Sequence, residues 1–165
     1  MSELSVWFPV IGLLGLLSAA LVFYFIARIP VTNPKMREIA EAIHHGAMVF
    51  LRREYTILAL FIFLVFVLLS AVISYHTALA FLVGACSSML AGFFGMQAAT
   101  RANVRTSQAA NEGGIGPALS MAFSGGAVMG LSVASLGLFG IGIAFLLYQK
   151  GYLLASDING FAMGA

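Results

Sequence analysis

The chain has 165 residues, 61% of them apolar and only 8% charged, with a formal charge of +2. Soluble domains carry about 25% charged and about 45–50% apolar residues, so this composition excludes a globule with a water-facing polar surface. The small positive charge gives no footing for nucleic-acid binding, and a single cysteine, Cys86, rules out an internal disulfide and reads as a small packing residue in an apolar helix.

The apolar residues come in long blocks. No Asp, Glu, Lys or Arg occurs between Glu3 and Arg28, between Glu54 and Arg101, or between Glu112 and Lys150. A hydrocarbon core about 30 Å thick takes roughly 20 helical residues, so each block holds one span or more. The expected fold class is all-α, a polytopic transmembrane helical bundle with four complete spans and the start of a fifth. A single domain over residues 1–165 is expected, with helices near 5–28, 34–75, 78–110, 117–149 and 157–165.

The first helix carries Glu3 where a signal peptide would have a basic region, and its apolar stretch is too long for one, so it reads as a retained span. Pro30 stops it. Asn33 then offers an N-cap and Pro34 a first helical residue for the second helix. That helix starts amphipathically, with Glu38, Glu41, His45 and Arg52 in one arc and Ile39, Ile43 and Phe50 in another. From Tyr55 to Tyr75 it becomes wholly apolar, which predicts one unbroken helix about 60 Å long whose first third stands out of the bilayer. Ser74 to Thr77 reads as a short turn at the far interface. The third helix stays apolar to Ala99 and continues as a polar segment through Arg101, Asn103 and Arg105. Asn111 to Pro117, rich in glycine, reads as a loop. In the fourth helix, Gly126 and Gly130 form a Gly-x-x-x-Gly pair that Gly137 extends, which is the pattern of closely approaching membrane helices. Asp157 or Ser156 is expected to cap the fifth helix.

Seven of the eight Lys and Arg residues fall at one set of helix ends, from Arg28 to Arg53 and at Arg101 and Arg105, with Lys150 opposite. The excess of positive charge on cytoplasmic loops places the N-terminus outside. Glu54 lies toward the Ala47 and Phe50 side of its helix and needs a partner, because a stranded charge in a low-dielectric setting costs several kcal/mol. Arg101 or Arg105, at similar depth, is the expected partner. This pairing reads as a structural clamp at the cytoplasmic rim, with a proton or ion relay as the alternative. Glu41 and His45 have the spacing of a metal pair but lack a third ligand, and they read as a solvated face from which His44 points away. The glycines at 113–116 lack the lysine and hydroxyl residue of a phosphate loop. No acidic cluster suited to Mg²⁺ and no nucleophile-and-base arrangement occurs, so no catalytic, cofactor or metal residue is assigned.

Four stretches carry a resemblance. They are I-H-H-G-A-M-V-F-L-R-R-E-Y at 43–55, G-M-Q-A-A-T-R-A-N-V-R-T-S-Q-A-A at 95–110, G-G-A-V-M-G-L-S-V-A-S-L-G-L-F-G at 125–140, and F-A-M-G-A at 161–165. In order and spacing the chain resembles the N-terminal portion of the membrane-bound, ion-translocating inorganic pyrophosphatases. The resemblance implies a homodimer of long bundles with inner and outer helix rings, and cytoplasmic hydrolysis of Mg²⁺-pyrophosphate coupled to export of H⁺ or Na⁺. It also implies that the acidic motifs binding metal and substrate begin in the fifth helix and beyond. The positions that map here are outer-ring scaffold, including Arg53, Glu54, Arg101, Asn103, Arg105 and Thr106. The chain is thus expected to be an inactive scaffold portion in a prokaryotic plasma membrane, surrounded by lipid. The alternative is a self-contained four-span accessory protein without enzymatic activity.

Overall fold

The computed structural model describes the backbone of residues 2–165 and the side chains from residue 6 onward. Five helices follow one another: α1 (Ser2–Arg28), α2 (Pro34–Val72), α3 (Tyr75–Gly113), α4 (Ile115–Gln149) and α5 (Ala155–Gly164). Among the described residues there is no strand. The first four helices are long and apolar enough to cross a membrane. The chain is an all-α polytopic bundle.

The helix ends follow from local chemistry. The Asn33 side chain accepts the backbone N–H groups of Lys35 (2.9 Å) and Met36 (3.4 Å), and Pro34 fills a first-turn position where no donor is needed. From there α2 runs 39 residues without a break. The expected turn at Ser74–Thr77 is shorter than the sequence suggests. Ser74 Oγ accepts the Thr77 N–H at 3.0 Å, and this cap lets α3 begin at Tyr75. The expected loop at 111–117 also contracts. Asn111, Glu112 and Gly113 stay in α3, and Gly114, at φ 77°, alone turns the chain while its N–H bonds to the Ala110 carbonyl at 3.1 Å. Pro117 sits in the first turn of α4, where its missing N–H leaves no bond unmade.

α3 and α4 form the centre of the bundle. α1 docks on α4, α2 docks on α3, and α5 lies against α3 with a smaller contact to α4. α1 and α2 do not pack on each other, so a gap separates them over the face of α3.

Glycines set how closely these helices approach. A Cβ on Gly125 would stand 2.6 Å from the Ala102 Cβ, and one on Gly95 would stand 2.7 Å from Met129 Cγ. On the α1 side, a Cβ on Gly142 would meet the Pro9 ring. At α5 the contact is backbone to backbone, with Gly160 over the Thr77 carbonyl and Gly164 over the Phe81 carbonyl. The pair singled out in the sequence behaves otherwise. Gly126 and Gly130 are exposed, with nothing within 4 Å of where a Cβ would be. The buried stripe of α4 instead runs through Ala118, Gly125, Val128, Ser132, Ser135 and Gly142 at steps of three, four or seven residues, and one residue's shift turns a glycine by about 100° onto another face. Cys86, read as a packing residue, is exposed.

Gly160→Ala and Gly164→Ala should each destabilise the bundle by about 1–3 kcal/mol, because backbone carbonyls cannot swing aside for the added carbon. Gly126→Ala and Gly130→Ala should leave stability unchanged or raise it by up to about 1 kcal/mol through helix propensity. Thermal melts followed by circular dichroism in detergent would separate the two pairs.

Candidate functional site

The polar chemistry gathers at two ends of the bundle. At the first, the C-terminal turns of α3 meet the link between α1 and α2. The last four carbonyls of a helix have no partner within it and carry the negative end of its dipole. Arg105 supplies what they lack. Its Nη2 donates to the Ala27 carbonyl at 3.1 Å and its Nε to the Ile29 carbonyl at 2.8 Å, while Nη1 donates to the Arg101 carbonyl at 2.8 Å. Three residues on, buried Gln108 accepts the Thr32 N–H at 3.3 Å through Oε1. The two side chains, neighbours on one helix face, clasp residues 27–32 to α3.

This arrangement overturns the expected pairing with Glu54. Arg105 is committed to the end of α1, and the Arg101 guanidinium lies 4.8 Å from the centroid of the Phe23 ring on the same helix. Glu54 is exposed and borders a shallow groove on α2 with Arg53, Phe50 and Ile57. The physical reason is competition from α1: the Ala27 and Ile29 carbonyls take Arg105 and the Phe23 ring takes Arg101, while Glu54 borders the α2–α3 groove with Met96 and Ala99. Asn103 is exposed, and Thr106 returns its hydroxyl to the Ala102 carbonyl at 2.9 Å. Both border the α3–α4 groove beside Gly125 and Gly126.

His44 also departs from expectation. It does not point away; its Nδ1 lies 3.1 Å from Thr100 Oγ1 on α3. The Thr100 hydroxyl also lies 2.9 Å from the Met96 carbonyl, and the tautomer of His44 sets which side of the His44–Thr100 contact donates. Glu41 and His45 border the same cavity as His44. Among the described residues, no three His, Cys, Asp or Glu side chains come together in a metal-binding group, so the donor set here does not fit Mg²⁺.

The opposite end holds a site the sequence reading missed. Asp157, 3% exposed, sits in the first turn of α5, one turn from the position expected of a cap. Its Oδ2 accepts the Leu154 N–H at 2.8 Å, closing the start of the helix from inside. Its Oδ1 accepts from Thr77 Oγ1 at 2.7 Å and lies 3.1 Å from Ser74 Oγ. The α2–α3 turn is thereby tied to α5. Burial pushes the carboxyl upward, but the Leu154 N–H, the Thr77 and Ser74 hydroxyls and the nearby His76 outweigh it and hold it below its ordinary value of 3.8. A signal existed: a lone carboxylate after an apolar block, with two hydroxyls spaced three apart at the same bundle end.

A polytopic helical membrane protein, clasped at both ends by polar side chains, is the class these features define. Residues 13–165 match the family described as inorganic H⁺ pyrophosphatase, and the chain belongs to that family. A relative from Clostridium tetani, named for pyrophosphate-energised sodium pumping, is 43% identical over 100% of this chain and 24% of its own length. A K⁺-insensitive pyrophosphate-energised proton pump of Methanosarcina mazei is 40% identical over 95% of this chain and 23% of its own. A K⁺-stimulated pyrophosphate-energised sodium pump of Thermotoga maritima is 40% identical over 92% of this chain and 21% of its own. The chain thus spans about a quarter of the length of the curated relatives it matches.

Removing the Arg105 side chain strands the α1 carbonyls. Arg105→Ala should cost about 1.5–3 kcal/mol, the scale of a hydrogen bond to a charged group, and Arg105→Lys should recover only part because one ammonium cannot span both carbonyls. Chemical denaturation in mixed micelles would measure it. For Asp157 the sign is that of a depressed acid: its stabilisation is present above the unfolded value near 3.8 and is lost as pH falls through the lower folded value. Asp157→Asn should therefore be destabilising at pH 7, and the gap to the parent should close progressively below about pH 4.

Proposed function

We propose that this chain supplies outer-ring scaffold to a pyrophosphate-energised ion pump, in which hydrolysis of Mg²⁺-pyrophosphate drives H⁺ or Na⁺ across the membrane. The observation that carries this reading is the family match over residues 13–165 together with relatives named as such pumps along nearly the whole chain. Arg53, Glu54, Arg101, Asn103, Arg105 and Thr106 are scaffold positions in it, holding or bordering helix contacts and touching no substrate. In this reading metal and pyrophosphate are held by parts of the pump outside these residues. Both named ions occur among the relatives, so the ion is left as H⁺ or Na⁺.

The clustering of Arg28, Lys35, Arg37, Arg101 and Arg105 about one junction supports an orientation with that junction in the cytoplasm and the N-terminus outside. The broad exposed apolar faces of α1 and α2 support burial against lipid, further helices and a second subunit in a homodimer. A prokaryotic plasma membrane is the compartment this reading assigns.

Membrane vesicles carrying a full-length pump built on this chain should release phosphate from magnesium pyrophosphate and build an ion gradient, and vesicles with residues 1–165 alone should do neither. Phosphate release by the 165-residue chain on its own would overturn the scaffold reading.

A further inference from the structure

Beside the clasp, α2, α3 and the α1–α2 link border an open cleft of about 500 Å³ lined by Arg37, Glu41, His44, His45, Arg101 and Arg105. Three guanidinium groups face one carboxylate. Arg105 is occupied by carbonyls, and Arg37 gives one N–H to the Val31 carbonyl at 3.3 Å. Arg101 is half-buried, and among the described residues no carbonyl or carboxylate accepts from it; its one contact is the Phe23 ring. A partly desolvated cation with unmet donors is an incomplete arrangement, and an anion with several acceptor oxygens completes it.

Depth and shape narrow the anion. The cavity lies where the apolar runs of α1 and α3 end, at Ala27 and Ala99, the level of lipid headgroups, and α2 meets it seven or more residues ahead of Tyr55. Toward the membrane middle the chain is open, because α1 and α2 do not pack together over α3.

We propose that this cavity binds the phosphodiester headgroup of an acidic phospholipid, with Arg37 and Arg101 as its ligands and the acyl chains lying in the gap between α1 and α2. The site is independent of pyrophosphate hydrolysis. A basic residue near the membrane surface is worth about fivefold in affinity for acidic lipid, so loss of either arginine should cost at least about that factor.

The test is native mass spectrometry of the protein in neutral detergent, titrated with phosphatidylglycerol or phosphatidylcholine. Parent protein should retain phosphatidylglycerol in clear preference, and Arg101→Gln and Arg37→Gln should each lose that preference while keeping full helical circular dichroism. Arg37 is exposed, so its variant remains informative if Arg101→Gln does not fold. Arg53→Gln, which removes an equal charge from α2 outside the cavity, should bind as the parent does. Equal retention of both lipids, an equal loss in Arg53→Gln, or undiminished preference in Arg37→Gln would overturn the proposal. A large excess of inorganic phosphate, against chloride at matched ionic strength, should leave the lipid bound; displacement by phosphate alone would mean a site for a free anion and would overturn the lipid assignment.

Discussion

Lipid tails are as apolar as leucine, so enclosing a leucine between two membrane helices gains little over leaving it in the bilayer. Helices in such a solvent hold together through close van der Waals contact and through polar groups that find partners. Here nearly every packed pair depends on a missing Cβ: Gly12 and Gly142 where α1 meets α4, Gly95 and Gly125 where α3 meets α4, Gly140, Gly160 and Gly164 around α5. Even the contact of α2 with α3 includes the Tyr55 hydroxyl over Gly92, with that hydroxyl donating to the Met89 carbonyl. These contacts leave the large apolar side chains pointing outward, as in α1, where Leu14, Leu17 and Leu21 are all more than half exposed.

Packing of this kind does not fix how far a helix slides along its neighbour, because apolar faces resemble one another at every turn. The two polar ends remove that freedom. Arg105 and Gln108 seize the backbone between residues 27 and 32, and Asp157 seizes the hydroxyls of Ser74 and Thr77. Since α3 contributes residues to both ends, it acts as the measuring rod of the bundle: α1 is set against its far turns and α5 against its first. A shift of α3 by one turn would break both clasps at once and bare polar groups at each.

Much of this was legible in the sequence because it depends on counting. Charge-free blocks give spans, Pro30 and Asn33 give a boundary, and the clustering of arginines gives one polar end. What was not legible depends on direction. Gly126 and Gly130 satisfy a spacing rule as well as Gly160 and Gly164 do, yet the first pair is open and the second lies on carbonyl groups. Spacing says that two glycines share a face and says nothing of what faces them; both stripes of α4 keep helical steps, and only the packing of α3 and α1 chooses between them. The Glu54 expectation failed similarly. Depth matched it to Arg101 and Arg105, but the competing acceptors were backbone carbonyls, which every residue possesses and no sequence pattern displays.

The same features bear on why such a bundle suits a scaffold better than a moving part. A helix that shifts during a transport cycle needs two packings of similar free energy. Contacts between α5 and α3 made through Gly160 and Gly164 place backbone on backbone, where a small rotation would bring helix surfaces into collision, and the Asp157 carboxylate accepts three hydrogen bonds in this one arrangement. By contrast, among the described residues α2 packs on α3 alone and presents most of its length to the surroundings. Any element of this chain that yields to neighbouring helices or to lipid is therefore α2, and the headgroup cavity lies along the α2–α3 seam, where an anion bridging Arg37 and Arg101 would close the one contact that the polar clasps leave loose.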